Sequence, residues 1–328
     1  MSNLTIFEIP PDDDGMRLDR WLRKKFGRVP QAQVEKLSRT GQIRLDGRRV
    51  RASTRLESGQ VIRVPSFETG TKKHSREKQY HHDLTDLKLI KEAEIYRDDD
   101  IIVINKPQGI AVQGGSKVQR HIDGLMGALS KPGEERPKLV HRLDRDTSGV
   151  LVLARNSFSA RALAKAFRER EIEKTYWAIV LNTPRPAKGE IDLPLYKRGD
   201  FGKEKIVSGT GRRAITRYVV IDNAGQDVAW MALYPETGRT HQIRVHCSAI
   251  GSPIIGDRKY GARLVTPERL PSGNRLHLHS RAITLEHPRK GLLALKAEPP
   301  DFMLDTMRYF GFERNLGDLV DQPDRRNT

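Results

Sequence analysis

Between His141 and Ser148 the chain packs a histidine, two arginines, two aspartates and two hydroxyls into one short stretch, closed by Gly149. Leu139-Val140 leads in and Val150-Leu151-Val152-Leu153 leads out, each an apolar run that predicts a buried strand. A polar loop between two strand ends is where a rigid scaffold presents reactive side chains. A carboxylate in such a place can attack carbon or stabilise charge, and an arginine fork can hold a phosphate or orient that carboxylate. A plain hairpin loop in which Asp146, Thr147 and Ser148 cap their own backbone accounts for the second half of the stretch. It leaves Arg142 and Asp144 unexplained. Both alternate with Val140 and Leu143 in extended chain, so they point the same way.

Further along, Lys174-Thr175-Tyr176-Trp177-Ala178-Ile179-Val180 reads as a strand, and Tyr176 taken alone is a core tyrosine with a satisfied hydroxyl. In Glu236-Thr-Gly-Arg-Thr-His-Gln-Ile-Arg-Val-His246, Thr240 is placed to cap a helix on which Ile243, Cys247 and Ile250 share a face. Arg244 lies about one turn beyond it. A zinc site from His241, His246 and Cys247 is rejected, because spacings of five and one scatter these groups over different faces. No metal is expected. Gly114-Gly115-Ser116 lacks the Gly-Lys-Ser/Thr of a phosphate loop, and Ser148 is not in a Gly-x-Ser-x-Gly elbow, which argues against a serine hydrolase.

His141-Arg-Leu-Asp-Arg-Asp-Thr-Ser-Gly-Val150 resembles the signature of RluA-type pseudouridine synthases, which isomerise uridine to pseudouridine in structured RNA. The resemblance implies that Asp144 is the catalytic aspartate. Asn105-Lys-Pro-x-Gly109 resembles a turn that the family keeps beside its active site, and Lys106 there is placed to touch RNA backbone. The same resemblance puts Tyr176 in the site, able to stack on uracil and to accept or relay the C5 proton. It puts the catalytic arginine at Arg244 and a leucine packed near the target base at Leu278. The loop from Pro253 to Gly261 also resembles the family's. Arg142 is read as filling the space that a flipped base vacates, or as holding a flanking phosphate. Asp146 is read as a loop cap. The reaction calls for no cofactor.

The net charge of the 328 residues is +17, a field that attracts polyanions. The charge is concentrated: from Arg17 to Arg63 there are fourteen Lys/Arg against four acids. Two short amphipathic helices, a strand pair turning at Asp46-Gly47 and a run at Val61–Val64 resemble an S4 RNA-binding module. Arg23, Lys24, Arg39, Arg44, Arg48 and Arg49 are its candidate phosphate contacts, which position RNA without reading its sequence. The expected organisation is an S4-like unit at 1–70, a charged linker at 71–91, a catalytic domain at 92–310 and a flexible tail at 311–328. Lys197 to Gly211 is read as a mobile basic loop. The fold class is α+β, with a mixed, largely antiparallel sheet in the catalytic domain and a small α/β module before it.

One cysteine excludes an internal disulfide. No apolar run approaches a membrane span, and MSNLTIFEIPPDDDG does not read as a signal peptide. A cytoplasmic monomer follows. The pairing of an S4-like module with this signature resembles the RluC-type branch, which implies uridines of large-subunit (23S) ribosomal RNA as substrate. Transfer RNA as substrate, or a catalytically silent RNA-binding protein of ribosome assembly, are the alternatives.

Overall fold

The computed structural model describes residues 4–27, 29–66, 84–114, 118, 120–131, 133–199, 205–261, 270 and 273–321, and the chain divides into two units, residues 1–80 and 81–328. In the first, strand β1 (Leu4–Glu8) precedes helices α1 (Leu18–Phe26) and α2 (Gln31–Arg39), short strands β2 (Arg44–Leu45) and β3 (Arg48–Arg49), and β4 (Val61–Pro65). Leu18, Trp21 and Leu22 recur at helical spacing and are buried. Phe7 and Phe26 meet Trp21 edge-on at centroid distances of 5.7 and 6.2 Å. The strands lie in the order β1-β4-β2-β3. Asp46 and Gly47 both have positive φ, the conformation a two-residue turn between twisted strands requires.

The second unit runs α3 (Leu84–Glu92), β5 (Glu94–Arg97), β6 (Ile101–Lys106), α4 (Ile122–Leu125), β7 (Lys138–Leu139), β8 (Ser148–Ala154), α5 (Ser157–Glu169), β9 (Glu173–Leu181) and β10 (Lys188–Asp192). It continues with β11 (Leu195–Arg198), β12 (Lys205–Ser208), β13 (Ile215–Ala224), β14 (Val228–Pro235), α6 (Gln242–Ala249), β15 (Leu278–His287), β16 (Gly291–Lys296), α7 (Asp301–Tyr309) and α8 (Arg314–Asp318). A ten-stranded sheet has the order β10-β13-β14-β9-β15-β8-β6-β5, with β16 also on β15 and β7 also on β8. Every pair in it is antiparallel except β8 with β15. The expected α+β class with a mixed, largely antiparallel sheet is the one that forms. Asn156 caps α5 by accepting the Ser159 N–H at 2.8 Å, and Leu163 and Ala166 face the core. Phe158 is 45% exposed and lies under Arg289. Among the described residues no helix is long and apolar enough to cross a membrane.

Three expectations need correction. Residues 84–91, read as linker, belong to α3, whose Ile90 is fully buried and whose Leu87 and Leu89 pack on the same cluster. Its apolar residues Leu87, Leu89 and Ile90 spread round the helix among charged neighbours, which leaves too weak a period to mark it. The part of the linker at 71–83 lies outside the described residues. The tail read from 311 is ordered packing as far as 321. Phe312 is buried, Gly317 sits where a Cβ would be 2.4 Å from Trp177, and buried Arg281 binds Asp318 and Asp321. The basic loop at 197–211 contains paired strands β11 and β12, with 200–204 outside the described residues.

Gly149 has φ +110, and a Cβ on it would lie 2.2 Å from the Ser280 carbonyl oxygen of the neighbouring strand. Gly149→Ala should therefore cost about 3 kcal/mol or more of stability in urea unfolding; a change below about 0.5 kcal/mol would show that the two strands can part without penalty. Burial also pushes the His277 and His279 pKa values down to about 4. Their folded pKa lies below the unfolded one, so stability is fully present above about pH 6.5 and falls as the pH drops toward 4, at most about 1.4 kcal/mol per pH unit for each ring. Urea unfolding at pH 7 and pH 5 should show lower stability at pH 5; equal stability would mean that both rings protonate inside the fold.

Candidate active site

The 140–147 loop enters β8 from one end of the sheet. Lys106 ties the loop to the 107–110 turn at Arg145: the fully buried Nζ donates to the carbonyls of Pro107, Ile110 and Arg145 at 2.8, 2.9 and 3.1 Å. Three acceptors match the three protons of an ammonium. Burial pushes its pKa down to about 7, opposed by Asp146 and Asp144. Lys106 is thus a buried clamp on the loop, and its expected contact with RNA backbone is ruled out by the absence of exposed surface. Leu143 turns into the core, while Arg142 and Asp144 on either side of it line an open cleft of about 690 Å³. Their shared direction is the one the alternation predicts. Asp146 does not act as a cap; its carboxylate takes the Arg145 guanidinium at 3.1 Å. Ser148 lies with His279 at 2.9 Å, but both are buried and the other ring nitrogen bonds the Ala297 carbonyl, so the pair is structural.

Asp144, Tyr176, Arg244 and Leu278 line one recess of about 120 Å³ that Arg142 also borders. Tyr176 comes from β9 and stands opposite Ser280 of β15, two residues beyond Leu278. Burial pushes the Tyr176 pKa up to about 12, against a hydrogen bond with Ser280 and with help from the Asp144 charge. Its hydroxyl is therefore protonated at neutral pH, which fits stacking or donation better than accepting a proton from C5. Leu278 is buried among core residues and shows only an edge to the recess.

Arg244 is 9% exposed and makes its bidentate contact with Asp257, both bonds at 2.7 Å. Its Nη1 is 3.9 Å from Asp144 Oδ2. Burial works against the guanidinium charge, yet the Asp257 hydrogen bonds outweigh it and raise the pKa. Burial likewise works against the Asp257 carboxylate, and Arg244 outweighs it and lowers that pKa. Asp257 also accepts the backbone N–H groups of Lys259 and Tyr260 at 3.0 and 3.1 Å. This residue is the main one the sequence reading missed. The loop holding it resembled the family's, but nothing in a separation of thirteen residues says that it grips Arg244. The rejected zinc candidates are otherwise engaged: His246 lies between Thr216 and the Leu193 carbonyl. The helix cap expected at Thr240 falls on His241 instead, without a side-chain bond.

The basic candidates of the first unit are scattered over its surface. Arg39 and Arg49 line a groove of about 440 Å³ with Arg51, and Arg48 is exposed beside the Asp46-Gly47 turn. Arg44 donates to Gly47 O at 2.9 Å, Arg23 to Gln31 at 2.5 Å, and Lys24 pairs with Asp13 at 2.5 Å. Arg44 stands directly opposite Arg49 on one neighbour and Arg63 on the other. Like charges facing one another across strands cost stability, a cost that a bound polyanion would relieve.

Residues 100–249 match the family described as RNA pseudouridylate synthase. The chain is 36% identical over 293 residues to ribosomal large subunit pseudouridine synthase C of Vibrio vulnificus, spanning 88% of this chain and 90% of that protein. It is 33% identical over 304 residues to the Escherichia coli protein of the same name, spanning 91% and 94%. Among solved structures, human RNA pseudouridylate synthase domain containing 4 superposes with a TM-score of 0.58 at 31% identity, covering 69% of this chain and 96% of that one. At this identity and coverage, the chain belongs to the RNA pseudouridylate synthase family and is an isomerase acting on RNA.

Proposed function

We propose that this enzyme converts specific uridines of large-subunit ribosomal RNA to pseudouridine, with Asp144 as its catalytic aspartate, as a cytoplasmic monomer. The observation that carries the reading is the convergence of Asp144, Tyr176 and Arg244 on one small recess, reached from a cleft that Arg142, Arg258 and Arg275 border. The names of the bacterial relatives support the substrate. In the reaction the N1–C1′ bond breaks, the uracil turns, C5 bonds to C1′, C5 loses a proton and N1 gains one. The product is an isomer, with atoms and charge conserved.

Asp144 is the anion of the site. It is 20% exposed on its side chain, so an entering base would cover it. Arg244 stands near it at a fixed place because Asp257 holds the other edge of the guanidinium. A preorganised cation loses no reorganisation energy when charge shifts on the neighbouring carboxylate. Tyr176 offers its ring as a stacking surface and its protonated hydroxyl as a donor. Arg142, exposed at the mouth, occupies the duplex space left by the extruded nucleotide. The first unit, read as an S4-like module, grips phosphates through Arg39, Arg44, Arg48 and Arg49, with Arg23 and Lys24 as further contacts.

Incubation of the purified protein with large-subunit ribosomal RNA carrying tritium at uridine C5 should release tritium. Asp144→Asn should lower the rate roughly 10³-fold or more with RNA affinity kept within about twofold. Release from transfer RNA alone would redirect the substrate, and an active Asp144→Asn would remove the aspartate from its role. Replacing Arg48 and Arg49 together with alanine should weaken RNA binding across sequences and reduce the salt slope of log K by about one per lost phosphate contact; an unchanged slope would place the phosphates elsewhere.

A further inference from the structure

His241 stands beside Asp144 and Arg244 in the same recess. It has φ +54 and ψ +19, a left-handed conformation rare outside glycine and asparagine, at the first turn of the helix that carries Arg244. Backbone strain of this kind persists where surrounding contacts over-determine it, and it clusters at working sites. The contacts here are specific. His241 Nε2 lies 3.8 Å from Asp144 Oδ2. Its Nδ1 lies 2.7 Å from the Tyr260 hydroxyl. That hydroxyl in turn accepts the Ile206 N–H of strand β12 at 3.3 Å.

Tyr260 Oη accepts from Ile206 and can give its own proton to His241 Nδ1. The remaining ring proton of a neutral imidazole then sits on Nε2, facing the Asp144 carboxylate. Burial holds the His241 pKa below the ordinary value; Asp144 and Asp257 oppose this, while Arg244 and Lys259 add to it. The ring is therefore neutral at pH 7 and has a single N–H to give. Tyr260 is held from both sides: its ring lies under the Arg244 guanidinium at 5.2 Å, and its backbone N–H is bound by Asp257.

We propose that His241 is a positioning residue for the isomerisation: oriented by Tyr260, it donates from Nε2 to Asp144 and, opposite Arg244, fixes the carboxylate in its attacking orientation. In the open site the distance is that of a loose contact, and it closes when the base enters, as catalytic hydrogen bonds do on substrate binding. The far end of the chain of donors is the backbone of the basic β11–β12 hairpin, so a shift of that hairpin would reach Asp144 through two side chains.

The inference rests on Asp144 being the catalytic aspartate, and the test separates the two. Single-turnover tritium release from large-subunit ribosomal RNA, with RNA binding measured beside it, is compared for wild type, Asp144→Asn, His241→Ala, His241→Gln and Tyr260→Phe. His241→Ala should lower the rate on the order of 10²-fold, the scale of a misplaced reacting group, with Kd within about twofold. His241→Gln, which keeps an N–H at the same reach, should regain about tenfold of that loss. Tyr260→Phe keeps the ring under Arg244, removes only the hydroxyl, and should lower the rate about tenfold; it serves even if His241→Ala fails to fold. A wild-type rate for His241→Ala or Tyr260→Phe beside an inactive Asp144→Asn overturns the proposal alone, as does a glutamine variant no better than alanine. An active Asp144→Asn overturns the assignment beneath it.

Discussion

Strands β8 and β15 run parallel for only two residue pairs, His279 with Ser148 and Ser280 with Gly149. Backbone meets backbone there so closely that a single added carbon at Gly149 has no room. The junction sets the positions of Asp144, Tyr176 and Leu278. Asp144 lies four residues ahead of Ser148, on the loop that this contact anchors. Ser280 pairs on its other side with Tyr176, which brings the aromatic ring over the same spot. Leu278 is two residues earlier on β15 and so faces the same way. The buried Ser148–His279 bond locks the junction, which gives these two residues work unrelated to hydrolysis.

Arg244 reaches the site from a separate element, and its placement follows a different logic. A guanidinium so nearly buried needs its charge compensated. Asp257 provides that compensation with a bidentate contact and is itself bound by two backbone N–H groups of its own turn. The turn depends on Gly256, where a Cβ would collide with the Arg275 carbonyl oxygen at 1.9 Å. The cation is therefore held independently of Asp144, and it leaves one edge turned toward the Asp144 carboxylate.

The parts legible in the sequence were those carried by local pattern or by a long specific motif. The Asp46-Gly47 turn, the buried β8 strand and the shared direction of Arg142 and Asp144 are local consequences of residue type. Tyr176 and Arg244 were placed by resemblance, since on pattern alone the tyrosine reads as core. What escaped depends on contacts distant in sequence. Asp257 finds Arg244 only once the loop folds back on α6. Lys106 was read as an RNA contact because its burial is completed only when the loop carrying Arg145 folds over its turn. Helix α3 and the segment up to Asp321 carry apolar residues without a clear one-face period. They are held by docking, as when Arg281 and Trp177 receive the turn around Gly317.

The central claim is that Asp144 carries out isomerisation of uridines in large-subunit ribosomal RNA. Pseudouridine mapping of total RNA tests it most directly, in cells with the gene deleted and rescued by wild type or by Asp144→Ala. Loss of particular large-subunit sites on deletion, restored by wild type and not by Asp144→Ala, is the predicted result. Equal rescue by both would contradict the role of Asp144, and an unchanged map in the deletion would contradict the substrate.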